Sequence, residues 1–217
     1  MKLFEAHRPK TLESVVGQDK AIDTIRGIIE REGLLGQAFY FIGKSGTGKS
    51  SIARILADMV QPYYDRAEID AQDLDIGTIR NWEEQVRRKP VGCQGWSFVV
   101  NEMHGCRGPI LARLNTTLEK PVMVANALWC FTTTPAGHGR LFEDSIEEVP
   151  FKSRVTVIEL ASDEQVTLTF AVHARNIAQA EGLDGRSLTE YCDLVRKCHC
   201  NLRETLNVIG SGAFKAK

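Results

Sequence analysis

Residues 43–50 read Gly43-Lys44-Ser45-Gly46-Thr47-Gly48-Lys49-Ser50, the complete G-x-x-x-x-G-K-[ST] spacing. Chemistry accounts for each position. Glycines let backbone N–H groups turn inward around phosphate oxygens, and a helix that starts at the lysine adds the positive end of its dipole. Lys49 is placed to reach the β and γ phosphates of a nucleoside triphosphate, and Ser50 to ligate Mg2+. The flanks agree with this reading. Ala38–Ile42 is a short apolar run bounded by glycines, as a buried strand should be, and Ile52, Ile55, Leu56 and Met59 repeat at helical spacing behind the loop. A nucleoside triphosphate and Mg2+ are therefore the expected cofactors. A glycine-rich turn that binds nothing is the rival, and motif and context together argue against it.

Working outward, Gln18–Glu32 carries Ile22, Ile25 and Ile29 on one helical stripe. Ala67–Ala71 reads as a strand, followed by a helical pattern through Ile79, Trp82 and Val86. Trp96–Val100 is a clear apolar strand, Leu111, Leu114 and Leu118 mark a helix, and Ala127–Thr132 and Val155–Leu160 are two further strands. Strands alternating with helices imply an α/β fold with a parallel sheet covered on both faces. After Leu160 three helical segments follow without a strand. Each opens on an oxygen-bearing residue with Glu or Gln three positions on: Ser162 with Gln165, Ser187 with Glu190, Asn201 with Glu204. The expected organisation is a nucleotide-binding α/β domain at 1–160 and a three-helix lid at 161–217.

Composition narrows the class. The 217 residues are 43% hydrophobic and 25% charged, with 27 basic and 28 acidic side chains for a net charge of −1. These are values of a folded globular chain, not of a disordered tail, a fibre or a membrane bundle. The N-terminus has no apolar signal core, and no apolar stretch approaches the ~20 residues of a spanning helix. A cytoplasmic protein is expected. Cys93, Cys106, Cys130, Cys192, Cys198 and Cys200 contain no C-x-x-C pair. Cys198-His199-Cys200 alternates possible ligands with no second pair nearby, so reduced thiols are expected in preference to a metal site.

A phosphate loop needs a second strand that brings acids to the magnesium and the attacking water. Trp96–Val100 ends in Asn101-Glu102-Met103-His104. Glu102 is the candidate general base. Asn101 stands where an aspartate is usual, as a candidate metal-shell residue that keeps an oxygen and loses the charge. A charge pair at 4 Å is worth ~4 kcal/mol at surface-like dielectric before desolvation. Weaker Mg2+ binding or slower turnover is the expected result.

At this point the sequence resembles AAA+ ATPases of the clamp-loader branch, the bacterial gamma/tau subunit and the small subunits of replication factor C. The similarity runs from about His7 to Gly210. His7-Arg8-Pro9-Lys10-Thr11 with Val15-Val16-Gly17-Gln18 is similar to the family's "YRPK…VVGQ", which lies over the adenine, so the resemblance assigns Arg8, Pro9, Val15 and Val16 to the base. Ser51-Ile52-Ala53-Arg54 continues the loop helix as in the family, with Ser51 beside the phosphates. Glu68-Ile69-Asp70-Ala71 resembles "EIDAAS", and Leu114–Pro121 resembles "LLKTLEEP". Thr132-Thr133-Thr134-Pro135 matches "ATTDP", which implies that Thr132 or Thr133 is the first sensor of the γ-phosphate. Ser153-Arg154 resembles the Ser-Arg-Cys motif, which implies that Arg154 is an arginine finger reaching the neighbouring subunit's ATP. Asn201-Leu202-Arg203 resembles the second-sensor motif, with Arg203 on the phosphates.

The resemblance also implies ATP as the nucleotide, and it implies function. A homo- or hetero-oligomer of AAA+ subunits would couple ATP hydrolysis to remodelling of a sliding clamp on primer–template DNA, with no membrane involved. Arg80, Arg87, Arg88, Lys89, Arg107 and Arg113 are candidates for the DNA face, with a solvated helix end as the equal alternative for 87–89. There are departures. Residues 136–152 are longer than their family equivalent and carry Glu143, Asp144, Glu147, Glu148 and a rival finger, Arg140. The chain stops at Lys217, about where a collar domain would begin, and Tyr63-Tyr64 leads toward Glu68 without the family's zinc module. Two other readings follow: an ATP-binding scaffold with little turnover because of Asn101, or an AAA+ remodeller of a recombination or phage replication pathway.

Overall fold

The computed structural model describes residues 2–62, 66–142 and 148–215. Tyr63, Tyr64, Glu143, Asp144 and Glu147 lie outside the described residues, as do the side chains of Arg140, Glu148 and Gln165. The rival finger and the acidic segment therefore lie outside them too. Contacts divide the chain into two units. One holds Asp23–Ile42 and Ile52–Glu159; the other holds Met1–Ile22, Gly43–Ser51 and Leu160–Lys217.

The first unit is built on five parallel strands: β1 (Ala38–Ile42), β2 (Ala67–Asp70), β3 (Trp96–Asn101), β4 (Ala127–Thr133) and β5 (Thr156–Glu159), in the order β2-β3-β4-β1-β5. Every residue of β1 and β4 is buried, the continuous apolar pattern of strands covered on both faces. The helices of this unit are most of α2 (Asp19–Glu32) and α3 (Lys49–Val60), then α4 (Ile76–Val86), α5 (Gly108–Leu118), α6 (Pro121–Asn126), α7 (Pro135–Phe142) and α8 (Glu148–Lys152). Aromatic rings fill the core. Phe98 lies 4.6 Å from Trp129 and 4.8 Å from Trp82 between ring centroids, and Phe131 meets Phe151 at 5.3 Å. Register decides what the strands present at their ends. Asp70 pairs with Asn101, Val100 with Phe131, and Ile42 with both Thr133 and Glu159. The polar residues at the ends of β2, β3 and β4 are thus level with one another, at the carboxyl end of a parallel sheet where ligands bind.

The second unit gathers α1 (Leu3–Ala6), the phosphate loop, and the three C-terminal helices α9 (Glu164–Ala180), α10 (Leu188–Lys197) and α11 (Leu202–Gly210). Phe170, Ala174, Ile177, Tyr191, Val195 and Ile209 form its core. The Ser187 capping box is complete: its hydroxyl accepts from Glu190 N at 3.4 Å, and the Glu190 carboxylate accepts from Ser187 N at 2.9 Å. Asn201 caps α11, accepting from Glu204 N at 3.2 Å. Ser162 does not cap α9, because that helix opens at Glu164 and Ser162 lies one residue too early. Cys198 and Cys200 are buried in this core, and the Cys200 thiol donates to the Asp163 carbonyl at 3.5 Å. All six cysteines are unpaired thiols. Burial pushes the Cys106 thiol up to about 12. No helix among the described residues is long and apolar enough to cross a membrane.

Candidate functional site

The loop that follows β1 has the backbone a phosphate cradle needs. Gly46 and Gly48 take φ of +75° and +107°, in the left-handed region open to glycine. The buried Lys49 turns back into the loop, its ammonium donating to the carbonyls of Gly43 at 2.7 Å and Lys44 at 2.9 Å. Thr47 Oγ1 donates to Lys44 O at 2.8 Å and closes the turn. Lys44 and Ser45 are exposed, and Ser50 and Ser51 are half-buried on the first turn of α3. Inward glycines, a centred ammonium and a hydroxyl on the helix's first turn are the donor set of a triphosphate with Mg2+. The residues present fit that group.

Two other segments of the same unit close on the loop. Gln18 is 2% exposed and holds three backbone groups: its amide N donates to Thr47 O at 3.3 Å and Ala161 O at 2.9 Å, and its amide O accepts from Ala161 N at 2.8 Å. Gln18 ties the Val15-Val16-Gly17 segment to the loop, a role that no linear motif reveals. Val15 is buried within reach of Gly48, while Arg8, Pro9 and Val16 are half-buried. Behind α10 the chain reverses through His199 and Cys200, both left-handed at φ 53° and 59°. That turn delivers Asn201 against Gly46 so closely that a Cβ on Gly46 would stand 1.9 Å from Asn201 Oδ1. Arg203, in the first turn of α11, lies with its guanidinium carbon 5.5 Å from the Phe4 ring centroid, a cation–π distance.

In the sheet unit, Asn101 and Thr132 meet across β3 and β4. Thr132 Oγ1 donates to Asn101 Oδ1 at 3.1 Å and accepts from Glu102 N at 3.3 Å. Glu102 itself is left-handed, at φ 53° and ψ 52°. Met103, which follows it, is fully buried while Glu102 is exposed. Backbone conformations of this kind cluster at functional sites. Glu102 Oε2 lies 3.4 Å from His104 Nδ1, which is also 3.4 Å from Thr133 Oγ1. Beyond Asn101 the network reaches β2 and α3. Asn101 Nδ2 donates to Glu68 Oε1 at 2.8 Å, and Arg54 grips the same carboxylate with Nε at 2.8 Å and Nη2 at 2.7 Å. Burial works to raise the Glu68 pKa, but the hydrogen bonds from Arg54 and Asn101 and the charges of Arg54 and Arg66 hold it below 4.5.

The remaining basic residues divide. Arg154 is bound to the Glu119 carboxylate and the Pro150 carbonyl, with Ser153 Oγ at 3.2 Å. Arg80, Arg87, Arg88, Lys89 and Arg107 are exposed. Arg113 is not free to join them, a correction to the expected basic face. It is half-buried and bonded to Glu83 at 2.7 Å, and the same carboxylate holds Lys120 and Thr117 at 2.6 Å each.

Comparison with known proteins matches these features. A family model described as ABC transporter matches residues 34–103, from before β1 through the loop to the turn after β3. The replication factor C small subunit of Archaeoglobus fulgidus is 43% identical over 121 residues. That match covers 53% of this chain and 37% of the archaeal protein, so the chain spans well under half of its curated relative. Among solved structures, a Thermotoga maritima RuvB carrying a proline-to-glycine substitution superposes with a TM-score of 0.69 at 15% identity, covering 97% of this chain and 70% of that one. A second RuvB, with an arginine-to-alanine substitution, gives 0.67 at 16% identity over 93% of this chain and 63% of that one. The chain is thus an α/β protein with a phosphate-binding loop, similar in part to a replication factor C subunit and in fold to RuvB.

Proposed function

We propose that the chain is an ATPase of AAA+ type, acting like a clamp-loader subunit. The phosphate loop carries this reading: left-handed Gly46 and Gly48 around a centred Lys49. The partial identity to a replication factor C subunit supports it. The domains would be a nucleotide-binding domain at 1–160 and a lid at 161–217. ATP with Mg2+ supplies the reactive phosphoanhydride. Lys49 exchanges the Gly43 and Lys44 carbonyls for phosphate oxygens, and the loop N–H groups and the start of α3 hold the remaining charge. The Ser50 hydroxyl would be the oxygen ligand that this chain offers the ion, which would neutralise phosphate charge there. Glu102 takes the proton of the attacking water, and the sensor threonine, Thr132 or Thr133, orients that water. Val15, Val16, Arg8 and Pro9 cover the base. Arg203 leaves Phe4 for the phosphates, and Arg154 leaves Glu119 for the ATP of an adjoining subunit. Hydrolysis would drive remodelling of a partner, a sliding clamp on primer–template DNA, in the cytoplasm.

Steady-state phosphate release tests this directly, with and without primer–template DNA, wild type against Lys49→Ala. Mg2+-dependent release that DNA stimulates and Lys49→Ala abolishes is the expected outcome. No release above the Lys49→Ala background would end the enzymatic reading. A second reading, an ATP-binding scaffold with little turnover, is favoured by Asn101 and by the engagement of Arg154 with Glu119. Under it, the wild-type chain itself binds nucleotide and changes in measured mass without consuming it.

A further inference from the structure

Asn101 looks like a weakened acid when the chain is read in line. Its neighbours across the sheet give it a different purpose. The Arg54 guanidinium grips both oxygens of Glu68, which lies only 2.8 Å from Asn101, and a carboxylate so held accepts but cannot donate. The atom of residue 101 that faces Glu68 must therefore be a donor. On its other side Asn101 accepts the single proton of the Thr132 hydroxyl, at 3.1 Å. An amide donates to Glu68 and accepts from Thr132 at once without having to take up a proton. An aspartate would set two carboxylates against each other and strip Glu68 of a donor. Such pairs keep a proton by forcing one pKa upward.

We propose that Asn101 is a positioning residue whose amide joins the Glu68 carboxylate to the Thr132 hydroxyl, so that Glu68 carries the negative charge that an acid at 101 would otherwise hold. The chain of contacts then runs from Arg54 on the loop helix, through Glu68, Asn101 and Thr132, to the backbone N–H of Glu102. Thr132 spends its proton on this chain, which leaves Thr133 as the hydroxyl able to act as first sensor. The catalytic consequence rests on the ATPase reading; the pairing of residues 68 and 101 does not.

The test uses the full chain in three forms, Asn101→Asp, Glu68→Gln and the two together. Thermal unfolding is followed at about pH 8 and about pH 5, on either side of a raised carboxylate pKa. Asn101→Asp should lower Tm by about 4 °C or more at the higher pH. Much of that loss should return at the lower pH, where one of the two carboxylates holds a proton. The double variant restores a carboxylate facing an amide, with the two exchanged, and should regain Tm at the higher pH without acid. In the hydrolysis assay Asn101→Asp should lower kcat with KM for ATP changed less than about twofold, since the phosphate loop is untouched. The double variant should recover kcat in part. Asn101→Asp with wild-type or higher Tm at both pH values, or with higher kcat, overturns the proposal. So does a loss of Tm that neither acid nor the second substitution relieves. A wild-type chain that hydrolyses nothing refutes the ATPase reading alone, because the Tm measurements then still decide the pairing.

Discussion

The phosphate loop and the strand-end cluster both hold polar groups in fixed places, by opposite means. The loop works with backbone. Its glycines adopt conformations that other residues resist, and its lysine bonds to carbonyls five and six residues away. The strand end works with side chains drawn from β2, β3, β4 and α3, joined by register: Glu68, Asn101, Thr132 and Arg54. A backbone device tolerates few substitutions and keeps the same residues wherever it is used. A side-chain network exchanges residues as long as donors still meet acceptors, which is how an asparagine stands at 101. The first region should therefore fail by steric strain and lost ligand bonds, and the second by mismatched charge.

The largest effect should come from Glu102→Gln. Removing a general base costs about 10²–10⁴-fold in rate, so kcat should fall by that much while nucleotide affinity stays near wild type. A fall below about tenfold would move the base to another residue. Lys49→Ala should act on binding instead. The ammonium trades two carbonyls for phosphate oxygens, so its loss costs the difference between those bonds, about 1.5–3 kcal/mol, and weakens affinity about 10- to 100-fold, read by titration with a fluorescent nucleotide. Gly46→Ala tests the backbone device itself, with an expected cost of about 1–3 kcal/mol and a fall of several degrees in Tm. Adding Asn201→Ala should recover only part of it, because φ of +75° stays unfavourable for alanine after the clash is gone. Full recovery would mean that the side chain alone was at fault.

Two smaller effects remain, one in the strand-end cluster and one in the unit that holds the phosphate loop. The Glu68 pKa is depressed in the folded chain, so its stabilisation is present above the unfolded value and is lost as pH falls through the folded one. The acid limb of a stability curve should flatten in Glu68→Gln. An unchanged limb would show that Glu68 is no better held folded than unfolded. Phe4→Ala removes a cation–π contact worth about 0.5–1 kcal/mol and should change ATP affinity about two- to fivefold, toward tighter binding as Arg203 is released. Weaker binding would mean that Phe4 supports the nucleotide site instead.

The same contrast explains what was legible in the sequence. β1, the loop and α3 could be read in order because each residue's task is set by its immediate neighbours, and Ala38–Ile42 and Lys49 stand where the pattern puts them. α1, α6, α7 and α8 were not read, since 4–8 residues show too little periodicity to separate a helix from a loop. Gln18 escaped because its partners are 29 and 143 residues away. Arg113 read as part of a basic DNA face because its partner lies on another helix, 30 residues earlier. Asn101 read as a loss because Glu68 is its neighbour only after β2 and β3 pair.

The lysine that fills its own loop has a thermodynamic consequence. Lys49 already has two acceptors, so an arriving phosphate takes part in an exchange in which two carbonyls are released to water. Measured affinity is then a difference between two sets of bonds, smaller than either. Inorganic phosphate and sulfate should compete for the same ammonium, and the cradle stays shaped through each cycle because its cation never stands bare.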